Sequence, residues 1–201
     1  MEQLPTMYAE STRAADGFAR RAFTVRDVRR MIDVGVIGER ERIELIEGDI
    51  TVLSPEPVAH ERIKSPLSMA MLRVAPDSLM VAVSHTLQLT ETVLIDPDIA
   101  IFPRSSFRPS AAGFAALDPG DAYLIVEIAA SSLSYDRSLK SRLYARHDTR
   151  EFWVIDASER VTWVHTNPGE DGWGSIIERQ PDETLKTPAV PGFSIRLDAI
   201  G

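Results

Sequence analysis

Tyr123-Leu124-Ile125-Val126-Glu127-Ile128-Ala129-Ala130 decides the fold: an apolar run interrupted by a single carboxylate reads as a strand buried on both faces. Ser131 to Ser134 then offers helix caps, and a helix is predicted to about His147. Asp136, Lys140 and Tyr144 form one stripe along it; Leu139 and Leu143 form the adjacent stripe, expected to face the sheet. Glu151-Phe152-Trp153-Val154-Ile155-Asp156 reads as a second buried strand. Strand, helix and strand in this order allow a crossover in a mixed sheet, which makes the chain α/β.

Upstream, Thr24-Val25-Arg26-Asp27 has the form of a capping box and predicts a short helix carrying Val28, Met31 and Ile32, ended by Gly35 and Gly38. Ile43–Glu47 and Ile50–Leu53 read as a hairpin turning at Gly48-Asp49. Ile63, Leu67, Met71 and Val74 predict a helix from about Val58 to Arg73, with Pro66 marking a kink or a late start. The alternation through Val81, Val83, Leu87 and Leu89 predicts one half-buried strand, with His85 as a satisfied core residue. Val93-Leu94-Ile95 and Ile99-Ala100-Ile101-Phe102 flank a bend at Asp96-Pro97-Asp98, and residues 103–121 read as a long surface loop. Residues 1–20 show no period and are expected to be a flexible tail; residues 21–201 are expected to form one domain.

The 201 residues contain no cysteine, which excludes disulfides, thiolate metal sites and cysteine nucleophiles. No apolar run is long enough to cross a bilayer, and residues 1–16 lack the pattern of a signal peptide, so the expected setting is the cytoplasm, with no membrane. A net charge of −8 argues against coating nucleic acid by bulk electrostatics. Local basic patches remain, at Arg26, Arg29 and Arg30 and at Arg137, Arg142, Arg146 and Arg150. Arginines so placed can grip phosphates, although a run of charge is more often a solvated helix face. Lys64, Lys140 and Lys186 are the only lysines, so a mechanism needing an amine has few candidates.

Two carboxylates stand in apolar settings. Glu127 in the middle of a buried strand costs several kcal/mol unless it is paired or coordinates a metal; the alternative is a strand-end glutamate reaching solvent or an arginine. Asp98 follows a proline that interrupts ladder pairing, and its plain alternative is a turn residue. Together they offer the hard oxygen ligands that Mg²⁺ takes, and such an ion can activate water against a phosphodiester. Lys140 is placed to orient or deprotonate that water, or else makes a surface pair with Asp136.

The ordered series Ile43-Glu44-Leu45-Ile46-Glu47-Gly48-Asp49-Ile50, Ser54-Pro55, His60, Pro97-Asp98, Val126-Glu127-Ile128 and Asp136-x-x-x-Lys140-x-x-x-Tyr144, continuing into Glu151–Asp156, resembles the Uma-two type of restriction endonuclease over roughly residues 23–165. The resemblance implies a PD-(D/E)XK core, a mixed sheet flanked by helices, with Mg²⁺ or Mn²⁺ at Asp98 and Glu127. It implies catalysis by Asp98, Glu127 and Lys140, with Glu44, His60 and Tyr144 as accessory groups. DNA is the implied substrate, and of the basic patch Arg137, Arg142 and Arg146 are the expected contacts to it. The pattern has lysine two residues after the glutamate, where this chain has Ala129; the resemblance moves that function to Lys140.

The leading expectation is therefore a Mg²⁺-dependent endonuclease, working as a homodimer if it cuts both strands. The alternative is a non-catalytic binding or regulatory module on a degenerate nuclease scaffold, motivated by Ala129 and the acidic net charge. A hydrolase of another phosphate ester is a third reading. His147 and His165 have no partners identifiable from the sequence.

Overall fold

A computed structural model describes residues 12–13, 19–38 and 40–200. Of the expected tail it describes only Thr12–Arg13 and Ala19–Arg20, which pair antiparallel; the rest lies outside the described residues. The chain divides into two compact units, one of residues 1–54, 86–96 and 109–115, the other of residues 55–85, 97–108 and 116–201.

In the first unit, Val25–Asp33 is a helix with the predicted capping box. Asp27 N–H donates to Thr24 Oγ1 (3.1 Å), and the Asp27 carboxylate accepts the Thr24 N–H (3.0 Å), which satisfies two donors left over at the helix start. Val25 and Val28 bury their side chains with Ile37, Ile43, Leu45 and Leu94. Four strands of this unit's sheet run in the order Asp49–Val52, Ile43–Ile46, Val93–Ile95, Leu87–Thr90. Ile46 pairs with Asp49, so the hairpin turns at Glu47-Gly48, one residue earlier than expected. Both turn residues have positive φ, 50° and 91°, as a two-residue turn matching the strand twist requires.

The second unit carries a six-stranded sheet in the order Gly172–Arg179, Thr162–Gly169, Glu151–Asp156, Leu124–Ala129, Ile99–Pro103, Leu79–Val83. Leu124–Ala129 and Glu151–Asp156 are parallel and every other neighbouring pair is antiparallel, giving the mixed sheet expected for an α/β chain. All six residues of Leu124–Ala129 are buried. One face, formed by Leu124, Val126, Ile128, Ile99, Ile101, Trp153 and Ile155, packs with Ile63, Leu67 and Met71 of the helix Val58–Val74. Full burial of such side chains contributes roughly 1.5–3 kcal/mol each. Pro66 does not delay the start of that helix.

The crossover between the two parallel strands is composite: Leu133–Tyr135, a π-helical turn Asp136–Lys140, then Ser141–Arg146. The inward stripe differs from expectation. Asp136, Lys140 and Tyr144 are buried together with Leu143, whereas Leu139 is only half-buried. Tyr144 packs on Phe152, with ring centroids 4.8 Å apart. The single strand expected through residues 81–89 is two strands, because Ser84 between them has φ 46° and breaks the alternation. His85 is exposed beside Phe107, contrary to the core position expected. The loop after residue 103 contains a 3₁₀ turn, Arg104–Ser106, and the two-residue strands Arg108–Pro109 and Ala115–Ala116. Among the described residues no helix is long and apolar enough to cross a membrane.

Candidate functional site

Glu127 shares its strand face with Ile125 and Ala129, turned away from the Val126 and Ile128 face that packs on the helix Val58–Val74. Its carboxylate, 5% exposed, is instead met by the crossover helix. Lys140 Nζ donates to Glu127 Oε1 at 3.1 Å, and the Tyr144 hydroxyl donates to the same oxygen at 2.6 Å. Asp136 Oδ1 lies 3.9 Å from Lys140 Nζ, and Asp136 Oδ2 accepts from Ser132 Oγ at 2.5 Å. The polar stripe turns inward because the sheet presents a charge that needs donors. Leaving that carboxylate unpaired would cost more than burying the lysine beside it. The stripe lies in and just after the π turn, a helix irregularity often found at functional positions.

Asp98 is fixed independently. The antiparallel ladder pairs Val126 with Ile99, so Asp98 stands just before the first paired residue of its strand. Proline at 97 has no N–H to extend the ladder, and Asp98 Oδ2 accepts the Ile128 N–H at 2.7 Å. Asp98 Oδ1 lies 2.8 Å from His60 Nε2. Asp98 and His60 are both buried, 6% and 4% exposed.

The sequence reading missed Glu56 and gave Lys64 no role. One donor atom from each of Glu56, His60 and Asp98 lies within 4.8 Å of the others, the grouping among the described residues with a donor set suited to a metal ion. His60 Nδ1 is 3.3 Å from Glu56 Oε2 but is not aligned for a hydrogen bond, and among the described residues it has no hydrogen-bond partner. Lys64 Nζ makes a short ion pair with Glu56, contacts Glu61 Oε1 at 2.6 Å and Ser84 Oγ at 3.2 Å. Burial lowers the Lys64 pKa, but the hydrogen bonds to Glu56 and Glu61, with the charges of Glu56 and Asp98, outweigh it and leave the amine above its ordinary value. Glu56, His60 and Lys64 recur every four residues, as do Asp136, Lys140 and Tyr144. That spacing is the signal that could have found Glu56, although the helix begins only at Val58.

The remaining expected residues are placed as follows. Glu44 is fully buried in Ile43–Ile46 of the first unit, where its Oε1 accepts the Asp96 N–H at 3.0 Å. Asp96 itself pairs with Arg42 at 2.8 Å. Arg137, Arg142 and Arg146 are exposed, and the Arg137 guanidinium lies over the Trp163 ring, 3.9 Å from its centroid. Two carboxylates and one imidazole are a donor set that fits a divalent cation such as Mg²⁺ or Mn²⁺.

The crystal structure of a putative nuclease of the DUF820 group from Anabaena variabilis ATCC 29413 is similar to this chain in fold, with a TM-score of 0.69 over 88% of this chain and 96% of the other, at 17% identity. No curated protein matches. The profile of the Uma2 family, described as "Putative restriction endonuclease", matches residues 26–198. With that match spanning most of its length, the chain belongs to the Uma2 family of putative restriction endonucleases.

Proposed function

We propose that the protein is a divalent-metal-dependent endonuclease that hydrolyses DNA phosphodiester bonds at Asp98, Glu127 and Lys140. The observation that carries this reading is the 3.1 Å contact of Lys140 with the buried Glu127. It supports the transfer of the lysine role from position 129, where this chain has alanine, to the crossover helix. Membership of the Uma2 family supports a nuclease in general terms.

In this reading Asp98 and Glu127 hold the ion, and the ion supplies charge neutralisation at the phosphate and an acidified water. The Ile128 N–H fixes the orientation of the Asp98 carboxylate, whose other oxygen lies 2.8 Å from His60 Nε2. Tyr144 and Lys140 fix that of Glu127, and the Lys140 ammonium offsets phosphate charge or orients the attacking water. The exposed Arg137, Arg142 and Arg146 are the proposed phosphate contacts. Cutting a duplex on both strands calls for two such sites, so a homodimer belongs to the same reading.

The test is cleavage of plasmid and single-stranded DNA with Mg²⁺ or Mn²⁺ by the wild type and by Asp98→Ala, Glu127→Ala and Lys140→Ala. Wild-type cleavage that all three variants lose supports the reading. Equal cleavage by all four proteins overturns it, because the activity then belongs to a contaminant.

A further inference from the structure

We infer that His60 and Glu56 are direct ligands of the divalent ion held by Asp98, and that Lys64 is the resident cation that gives up Glu56 when the ion arrives. The inference rests on the reading of Asp98 as a metal ligand and adds two residues that the PD-(D/E)XK pattern does not supply.

Three observations converge. The donor atoms of Glu56, His60 and Asp98 already lie within 4.8 Å of one another, so a small contraction brings them around one ion. His60 Nε2 lies 2.8 Å from Asp98, and its Nδ1, 3.3 Å from Glu56, is buried without a hydrogen bond, an unusual state for a ring nitrogen beside a carboxylate. Glu56 lies before the helix start at Val58, outside regular structure, and can turn as the rigid strand positions cannot.

Lys64 explains how such a site keeps its charge in balance. Its ammonium bridges Glu56 and Glu61, with Ser84 as a further acceptor, and it feels the Asp98 charge. A dication binding at Glu56 competes with this ammonium. Lys64 retains Glu61 and Ser84 when that happens, so no buried charge is stranded. Replacing Lys64 should therefore tighten metal binding, the opposite of what loss of a structural residue would do.

An imidazole among the ligands also sets the choice of ion. Oxygen-only sites suit Mg²⁺, whereas an imidazole favours first-row transition ions, so Mn²⁺ should bind at least about tenfold tighter than Mg²⁺.

The experiment is Mn²⁺ titration of the full chain followed by electron paramagnetic resonance, with pulsed spectra to detect nitrogen bonded directly to the ion. The wild type should bind Mn²⁺ with one such nitrogen. His60→Gln should lose the nitrogen signal and weaken binding about 100-fold, at or beyond the upper end of what loss of a merely orienting partner costs. Glu56→Gln should weaken binding and keep the nitrogen; Lys64→Met should tighten it. Bound Mn²⁺ that depends on Asp98 but shows no nitrogen overturns the inference, leaves His60 as a positioning residue and leaves the proposed nuclease site intact. A nitrogen-ligated ion in a protein that cuts no DNA keeps the inference and removes the nuclease reading. Because the wild-type spectrum alone decides on nitrogen, failure of a variant to fold does not protect the idea.

Discussion

The Tyr144 hydroxyl and Lys140 Nζ meet on one oxygen, Oε1 of Glu127, at 2.6 and 3.1 Å, both reaching it from the helix that links the two parallel strands. The phenol and the ammonium thus hold one buried carboxylate jointly, so the two side chains can be separated by mutation. Tyr144→Phe keeps the ring against Phe152 and removes only the hydroxyl. A hydrogen bond to a charged group is worth about 1.5–3 kcal/mol, and the variant should lose stability in that range. Urea denaturation measures it. A loss under half a kcal/mol would mean that the phenol is not holding the carboxylate in solution.

Lys140 and Glu127 should couple strongly. Both are about 5% exposed, and removing one partner of a buried pair costs about 3–5 kcal/mol because the other charge is left behind. Lys140→Met alone should therefore destabilise more than Lys140→Met combined with Glu127→Gln. A double-mutant cycle by denaturant unfolding checks this, and additive effects of the two substitutions would refute it.

The pair also shows how far the sequence could be read. Leu124–Ala129 and Glu151–Asp156 were legible as buried strands, because an apolar run of that length has few other homes. The capping box at Thr24 was legible because both its partners lie within four residues. The inward face of the crossover was not. A helical wheel turns Leu139 and Leu143 to the sheet; Leu143 is buried, but only the Glu127 charge, a tertiary fact, explains why Lys140 and Asp136 are buried while Leu139 is half-exposed. Ser84 carries no mark of its positive φ, so the strand break there and the exposure of His85 were hidden. Glu56 sits in a proline-flanked break where helical spacing is not normally sought.

Acid should weaken the fold beginning just below pH 6.5, through His147 and His165. Burial is the main cause that holds both below the ordinary histidine value of 6.5, against backbone hydrogen bonds that raise them. Between the lowered folded value and 6.5 the unfolded chain binds more protons, so stability falls as pH drops through that window and levels off below it. Glu151 works in the opposite sense: burial raises it above 4.5, so the folded state is the better proton acceptor there. Urea midpoints from pH 7.5 to 5.5 should fall for the wild type and fall less for His165→Gln. Identical slopes would show that His165 is not kept neutral by the fold.

Gly48→Ala should destabilise the first unit and leave metal binding by the second unchanged. Gly48 has φ +91°, which an L side chain rarely adopts, and a Cβ there would stand 2.5 Å from the Cβ of Ala22. Neither side can yield cheaply, because the Phe23 N–H donates to the Gly48 carbonyl at 2.9 Å and the Gly48 N–H to the Thr92 carbonyl at 3.0 Å. Strain of this kind costs about 1–3 kcal/mol. Thermal unfolding of Gly48→Ala should shift downward by several degrees, while Mn²⁺ affinity stays at the wild-type value, because Glu56, His60 and Asp98 all belong to the other unit. An equal loss of metal affinity would mean that the hairpin turn supports the ion site directly.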